Sequence, residues 1–341
     1  LANNTSLNAA LTVGGSNDLS LNGVVDGSGS LTKAGGANLT LNGANTYSGG
    51  TALNAGTLTL GSTTALGSGA LTVGGAATLA NSTPLVLANA VNLNGDLTVA
   101  GSNNLTLAGV LAGNAALIKN GAADLLLTGN NSFSGPLTVA AGSVTTAGNG
   151  ALGTTSGVTV GSGASLNLGG NANLNSLAGN GVVQVAGGNT LAVGGSNLDN
   201  SFGGALNGAG NLDKNGSGVL NLSGTNALSG AANVNGGTLN VTGSLASGTV
   251  AVNSGATLAG SGSLAGAVSV ADGGHIGLAS GSTLSVGSLV LGGNSNLDVG
   301  LGTPVLGGGT GLLNVGGDLT LDGNLNVTDI GGFGSGVYNL I

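Results

Sequence analysis

The chain has 341 residues, of which 4% are charged and 1% aromatic, and 11 Asp against 3 Lys leave a formal net charge of -8. A layered globular core needs more bulky side chains than this, and a nucleic-acid binder needs a basic surface, so both classes are excluded. The absence of cysteine excludes disulfides, thiolate metal sites and cysteine nucleophiles. Disorder is disfavoured as well, because 40% of the residues are hydrophobic and only 3 are proline.

Short segments that alternate apolar and polar residues follow one another along the chain, separated by turns rich in Gly, Asn and Ser. Examples in chain order are LTV at 71–73, LTL at 105–107, VTV at 158–160 and SLNL at 165–168. This alternation is the period of a half-buried strand, and Gly and Asn suit tight turns because they tolerate positive φ. No segment shows a helical period. The sequence therefore predicts an all-β chain of many short strands.

One long pattern occurs three times, at about 27–61, 113–147 and 208–242. Each copy has a lysine, an L-x-L pair six and eight residues later, an aromatic residue or leucine at +14 and a glycine at +23. We interpret these as structural repeat positions, with the lysine stems exposed along the surface. The positions are Lys33, Lys119 and Lys214, then Tyr47, Phe133 and Leu228, then Gly56, Gly142 and Gly237.

Strands this short cannot bury a face alone, which predicts a single elongated parallel β-helix. With about 20 to 25 residues per turn and a spacing of about 4.8 Å, the chain would form roughly 14 to 16 turns and a rod about 70 Å long. Inward Leu, Val, Ile and Ala would form one core column. Asn and Thr at the turns would stack as hydrogen-bonded ladders.

At these residues the sequence resembles the autotransporter-associated β-strand repeat, G-x-G-x-L-x-K-x-G-x-G-x-L-x-L-x-G-x-N-x-Y-x-G-x-T followed by G-x-L. Residues 236–341, with VNSGATLAGSGSLAG, LLNVGGDLTLDGNLNV and GVYNLI, are similar to the end of an autotransporter passenger. The resemblance implies a right-handed, pertactin-like β-helix over 1–235, followed by the passenger-end segment 236–341. It also implies an extracellular location at the bacterial outer-membrane surface, with membrane attachment only through a C-terminal barrel outside this sequence.

The residues that could carry catalysis are few. His275 is the only histidine, and it could form a Ser-His-Asp system only with Asp272 or Asp298 and a serine. We predict instead that His275 is a turn residue. Asp318 and Asp322 could share a strand face as a glycosidase pair, but with almost no aromatic residues for sugar binding they are predicted to be solubilising strand-edge charges.

Other sites are predicted to be absent. A polysaccharide lyase needs a basic groove, and three lysines at one repeat position favour a structural role. The segments GGSND at 14–18 and VGGDL at 315–319 resemble calcium repeats only superficially, so no catalytic, cofactor or metal site is predicted. The aromatic residues are predicted to pack over turns or cap the core column; they are Tyr47, Phe133, Phe202, Phe333 and Tyr338.

The predicted function is a non-enzymatic extracellular stalk of the adhesin type, contributing to adhesion, aggregation or biofilm. Its expected partners are host or bacterial surface molecules, or other copies of itself. The alternative is a self-assembling extracellular fibre whose end strands pair with the next subunit. Binding to ice or crystal surfaces through threonine ladders is a third hypothesis, and an enzyme is the fourth.

Overall fold

A computed structural model describes residues 1–304 and 311–341. In these residues the secondary structure is all β, without helix, and the strands are parallel and stack as a β-solenoid of about 15 turns. The predicted parallel β-helix is confirmed. No helix in the described residues is long and apolar enough to cross a membrane.

The strands form two compact units, Leu1–Ala172 and Asn173–Ile341. The strands that lie within the first unit are β1 (Thr5–Ser6), β2 (Leu11–Val13), β3 (Leu19–Leu21), β4 (Val25–Asp26), β5 (Leu31–Lys33), β6 (Asn38–Leu41), β7 (Thr51–Leu53), β8 (Thr57–Leu60), β9 (Leu71–Val73), β10 (Ala77–Asn81), β11 (Leu85–Leu87), β12 (Val91–Leu93), β13 (Leu97–Val99), β14 (Leu105–Leu107), β15 (Leu111–Gly113), β16 (Leu117–Lys119), β17 (Asp124–Leu127), β18 (Leu137–Val139), β19 (Ser143–Thr146), β20 (Val158–Val160) and β21 (Ser165–Leu168).

The first unit has three main strand stacks. One stack has the order β2-β5-β7-β9-β12-β15, the second β3-β6-β8-β10-β13-β16-β18-β20 and the third β11-β14-β17-β19-β21. Each turn adds one strand to a stack: Leu11 pairs with Leu31, Leu31 with Thr51 and Thr51 with Leu71. These partners are 20 residues apart (31 minus 11), which agrees with the predicted length of a turn.

Strand β22 (Ala172–Leu174) begins at the last residue of the first unit. The strands within the second unit are β23 (Leu177–Gly179), β24 (Val182–Val185), β25 (Thr190–Val193), β26 (Asn200–Phe202), β27 (Ala205–Gly208), β28 (Asn211–Lys214), β29 (Val219–Leu222), β30 (Thr225–Leu228), β31 (Ala231–Val234), β32 (Thr238–Val241), β33 (Ser244–Leu245), β34 (Thr249–Val252), β35 (Thr257–Gly260), β36 (Ser263–Val270), β37 (His275–Ala279), β38 (Leu284–Leu291), β39 (Asn296–Leu301), β40 (Leu313–Val315), β41 (Leu319–Thr320) and β42 (Asn324–Asp329).

The second unit repeats the same construction with longer strands near its end. One stack has the order β23-β26-β29-β32-β35-β37-β39-β42. Two further stacks have the orders β24-β27-β30-β33-β36 and β25-β28-β31-β34-β36-β38. They meet at the eight-residue strand β36, which pairs with both β33 and β34, and β36 in turn pairs with the eight-residue strand β38. The boundary predicted between residues 235 and 236 lies inside this unit and stays a prediction.

The core of each unit is a set of inward columns, because successive residues of a strand point to opposite faces. In the second stack of the first unit, one column has a single residue from each strand from β6 to β20, each at most 2% exposed. Each aliphatic member removes enough apolar surface from water to contribute about 1.5 to 3 kcal/mol. The column runs through Leu39, Leu58, Leu79, Val99, Lys119, Val139 and Val160.

Candidate functional site

The three repeat lysines are buried in the core columns. Their exposed fractions are 1% for Lys33, 2% for Lys119 and 1% for Lys214. The predicted exposed stems are therefore wrong. The reason is the strand period: each lysine is the last residue of its strand and lies two residues after an inward leucine, so that both side chains point into the solenoid.

Each buried ammonium group is held by backbone carbonyl oxygens from its own turn and from the next one. Nζ of Lys33 donates to Gly35 O and, at 3.1 Å, to Ala55 O. Nζ of Lys119 donates to Gly121 O and, at 3.3 Å, to Ala141 O. We call this arrangement the lysine cage: an inward lysine with carbonyl groups two and 22 residues further along the chain.

The third lysine cage has one more bond. Nζ of Lys214 donates to Asn215 O at 2.8 Å, to Gly216 O at 3.0 Å and to Gly236 O at 2.9 Å. Hydrogen bonds are what make a buried charge tolerable. The carbonyl at +22 matters most, because it belongs to the next turn and ties two turns together.

A glycine in the left-handed conformation completes each lysine cage, at +23 from the lysine. A Cβ atom at Gly56 would lie 2.4 Å from Gly35 O and 2.7 Å from Lys33 Nζ, so only glycine fits. The three φ values are 69° for Gly56, 66° for Gly142 and 57° for Gly237.

The burial of the three ammonium groups also affects their ionisation. Burial lowers the pKa of each lysine, since the charged form loses its hydration. A nearby carboxylate partly offsets this loss in every copy and raises the pKa again. These carboxylates are Asp18, Asp124 and Asp199.

A buried asparagine 12 residues after each lysine joins three successive turns. Asn131 is 7% exposed; its Oδ1 accepts from Leu111 N at 2.8 Å, and its Nδ2 donates to Ala151 O at 2.7 Å. Asn45 makes the same two bonds, with Val25 N at 2.8 Å and Ala65 O at 2.7 Å. The partners lie 20 residues before and 20 after the asparagine, on the two neighbouring turns.

The third copy has the same bridge with one difference. Asn226 Oδ1 accepts from Leu206 N at 2.9 Å, while Nδ2 donates to Ser244 O at 2.9 Å and to Gly224 O at 3.1 Å. These asparagines were absent from the predicted site residues. Their signal was present in the sequence, as the first residue of the recurring N-x-[Tyr, Phe or Leu]-S pattern.

The sequence model of the passenger-associated-transport-repeat family matches three stretches, residues 31–60, 117–145 and 212–241. Each stretch begins two residues before a caged lysine and contains the asparagine and the left-handed glycine of the same copy. The chain matches an autotransporter passenger β-helix. Comparisons with curated proteins and with solved structures find no match.

The residue at +14 of each passenger repeat fills the core beside the bridge. Tyr47, Phe133 and Leu228 are all 0% exposed. The Tyr47 hydroxyl shares a 2.6 Å hydrogen bond with Oγ1 of Thr51, a partner that neither Phe133 nor Leu228 requires. The other aromatic residues differ in their surroundings. Phe202 is buried, whereas Phe333 and Tyr338, near the end of the chain, contact each other with their ring centroids 5.2 Å apart.

We expect the passenger repeat around Tyr47 to lose stability at alkaline pH. Burial raises the pKa of Tyr47 from 10.0 to about 12, with the Thr51 bond acting in the opposite direction. The pKa of Tyr47 is higher in the folded than in the unfolded state. The stabilisation by the protonated Tyr47 side chain is therefore complete below pH 10, and the free energy of unfolding falls by about 2 kcal/mol as the pH approaches 12. The measurement is the free energy of unfolding in urea from pH 9 to 11.5.

The Tyr47→Phe variant is the matched control, since Phe133 holds the equivalent position. The lysines titrate in both proteins, so only the difference between their unfolding free energies reports Tyr47. The free energy of unfolding of the parent minus that of Tyr47→Phe should fall steadily above pH 10. A difference independent of pH would contradict the expected titration.

The histidine lies in a strand and pairs with an aspartate on the next turn. His275 opens β37, so its prediction as a turn residue is wrong. Its Nδ1 lies 2.6 Å from Asp298 Oδ2, and the other carboxylate oxygen of Asp298 accepts from Asn326 Nδ2 at 2.7 Å. Within residues 1–304 and 311–341, Asp298 is the side chain bonded to the imidazole and no serine hydroxyl is, so a Ser-His-Asp relay is not assembled.

Asp272, the other predicted partner of His275, is engaged elsewhere. Its Oδ1 accepts from Asn294 N at 3.0 Å and its Oδ2 from Asn294 Nδ2 at 3.1 Å. These bonds, the backbone one first, lower the pKa of the Asp272 carboxyl. The aspartate therefore connects two turns, as Asp18 does when it accepts from Asn38 N at 2.9 Å.

The two remaining candidate sites are not formed. Asp318 and Asp322 are exposed and flank β41 instead of lying in it, so the shared strand face that a glycosidase pair would need is not formed. The reason is that β41 contains only Leu319 and Thr320. In the described residues there is no group of three or more His, Asp, Glu or Cys side chains that could hold a metal ion.

A shallow groove of about 510 Å³ lies beside Asp298, floored by Ala259, Gly277 and Gly300. A Cβ atom at Gly277 would make ordinary contacts, 3.5 Å from Thr257 Cγ2 and 3.6 Å from Ala259 Cβ. The backbone therefore does not demand glycine there. The missing side chain leaves the groove open.

Proposed function

We propose that the chain is the non-enzymatic stalk of a secreted passenger, displayed at the bacterial surface and making many weak contacts in adhesion, aggregation or biofilm. The observation that carries the proposal is the presence of three passenger repeats in a β-solenoid. The proposal is supported by the repeat itself, which implies a passenger that is secreted to the cell surface. The partners are surface molecules of a host or of other bacteria, or other copies of the chain.

The outward faces of the solenoid supply repeated polar groups for such contacts. In the second stack of the first unit, one outward column is mostly threonine, with one side chain per turn and therefore a spacing of about 4.8 Å. Its members are Thr57, Thr78, Thr98, Ile118, Thr138 and Thr159. A second contact surface is the groove beside Asp298, which presents a carboxylate, an amide and several hydroxyls around an open floor.

The test is to display the chain on bacteria through an outer-membrane barrel and to measure settling of the cells and attachment to host cells and plastic. We expect both to rise several-fold over cells that display the barrel alone, because polyvalent contacts multiply weak affinities. Equal settling and attachment in the two strains would reject the proposal.

A pair of glycine variants tests the groove separately. Gly277→Leu fills the groove, and Gly14→Leu is the matched control, since neither glycine is left-handed and Gly14 also has open space around it. We expect the first variant to lower attachment and the second to leave it unchanged. If both attach like the parent while the parent exceeds the barrel, the groove is rejected and the stalk stands.

A second candidate function is the self-assembling fibre. Strand β42 is the last strand of its stack, and its inward residues Leu325 and Val327 are 54% and 46% exposed. In parallel register they continue the column of Leu297 and Val299. An uncovered edge strand is a template for another strand. Filaments in negative-stain electron microscopy that disappear in a Leu325→Lys, Val327→Lys variant would favour the fibre; monomers at all concentrations would reject it.

A further inference from the structure

Neighbouring turns of the first unit are so similar that they could be confused during folding. The tripeptide Leu-Thr-Val forms four different strands: β2, β9, β13 and β18. Burial of apolar surface is not directional, and a shift by one whole turn, unlike a slip by one residue, keeps the apolar side chains on the inward face. The apolar columns alone therefore do not determine which turn follows which.

The lysines interrupt this similarity, and one of them does so between two identical strands. Strand β16, Leu-Ile-Lys, lies between β13 and β18, which have identical sequences. Its Lys119 occupies the inward position between Val99 and Val139. In the first stack, Lys33 of β5 lies between Val13 and Leu53 in the same way.

The ammonium group is satisfied by only one of the possible following turns. Lys119 Nζ needs Ala141 O from the following turn, and loss of that turn would leave a buried charge with an incomplete set of hydrogen bonds, at a cost of several kcal/mol. On the turn after that, Ala164 stands opposite Gly142, because Ser165 pairs with Ser143. A shift by one turn would bring this alanine to the place of Gly142, where a Cβ atom lies 2.4 to 2.7 Å from three carbonyl oxygens. The cage is thus complete only in the native order of turns.

We infer that the buried lysines specify the register of the solenoid, each identifying one turn and the turn that follows it. A lysine is suited to this role because its apolar stem fills the place of a valine or leucine, whereas its ammonium group cannot be exchanged with a methyl group. In a shifted register the ammonium group loses Ala141 O, which the native following turn supplies. Stability comes from the aliphatic columns, and the lysines determine which arrangement of those columns forms.

Cysteine cross-links in the full chain test this inference, since the natural sequence has no cysteine. Ile118 and Thr138 are paired outward residues of β16 and β18, and Thr138 is paired with Thr159 of β20. An Ile118→Cys, Thr138→Cys pair reports the native register. An Ile118→Cys, Thr159→Cys pair reports a shift by one turn, because two turns separate these residues by about 9.6 Å in the native state, too far for a disulfide.

Each pair is unfolded in reductant, refolded and oxidised, with Lys119 present or replaced in Lys119→Met. With the lysine, only the Ile118 and Thr138 pair should cross-link. In the methionine variant, cross-linking of the shifted pair should rise at least about five-fold, while the melting temperature stays the same or increases, because a hydrophobic side chain replaces a buried charge. Leu117→Met in the same strand is the control and should give no shifted product.

The result that overturns the inference is native cross-linking alone in Lys119→Met. Failure of that variant to fold would also overturn it, since the lysine would then be required for stability and not for register. Lys33→Met gives an independent repetition, with Thr32→Cys, Ala52→Cys as the native pair and Thr32→Cys, Thr72→Cys as the shifted pair.

Discussion

Replacing Gly142 by alanine should lower the free energy of unfolding of the first unit by about 2 to 5 kcal/mol. The residue has a φ of 66°, a conformation that costs an L-residue about 1 to 2 kcal/mol. Its Cβ would also lie 2.4 Å from Gly121 O, 2.6 Å from Ala123 O and 2.7 Å from Ala122 O. Backbone atoms cannot rotate away from such contacts, and moving them apart costs about another 1 to 3 kcal/mol.

Gly163→Ala separates the two contributions. Gly163 has a similar φ of 79°, but a Cβ atom there would have nothing within 4 Å. We expect this variant to lose about 1 kcal/mol, from the backbone conformation alone. The measurement is urea unfolding combined with hydrogen exchange of peptides from residues 117–146. Equal losses in the two variants would show that the carbonyl contacts of the lysine cage are not responsible.

The architecture could be predicted from the sequence because it depends on local patterns. Apolar residues at alternate positions define strands, and left-handed glycines such as Gly56 define the turns between them. The three copies of the long pattern share one spacing, so the repeat and the resemblance to autotransporter passengers are visible in the sequence alone. These features require only residues that are close together along the chain.

The burial of the lysines was missed although half of its signal was local. Leu31 and Lys33 are two residues apart in one strand, and this spacing places them on the same face. The prediction of exposure followed the general rule that lysine is rarely buried without a partner. Lys33 has one partner on its own turn, Gly35 O, and the other, Ala55 O, lies 22 residues away on the next turn. It becomes recognisable only when the register of the turns is known.

The same limit explains the other differences. The bond between His275 and Asp298 joins residues 23 positions apart, and the bridge of Asn131 spans 20 residues in each direction. Neither distance can be assigned from composition or from alternation. In a solenoid the strands follow from the local sequence, whereas the polar contacts follow from the number of residues in each turn.

Replacing Asn131 by alanine should lower the free energy of unfolding by about 4 kcal/mol. Both groups that it bridges are buried, the N–H of Leu111 and the carbonyl of Ala151. Each buried group left without a partner costs about 1 to 3 kcal/mol. Asn42 is the matched control, because it makes a 2.7 Å bond to Asn22 at the exposed surface. Asn42→Ala should change the free energy of unfolding by less than about 0.5 kcal/mol.

Hydrogen exchange at Leu111 distinguishes the bridge from a simple loss of packing. In the natural chain this amide donates to Asn131 Oδ1 and should be protected. In Asn131→Ala the Leu111 amide should exchange much faster. The amide of Leu117, in the next strand β16, is the internal control. Its exchange should change less, because it donates to Pro136 O at 2.9 Å. Asn131→Asp keeps the acceptor and should protect Leu111 while still losing the bond to Ala151. Unchanged exchange at Leu111 in the alanine variant would mean that the turns are held by their columns alone.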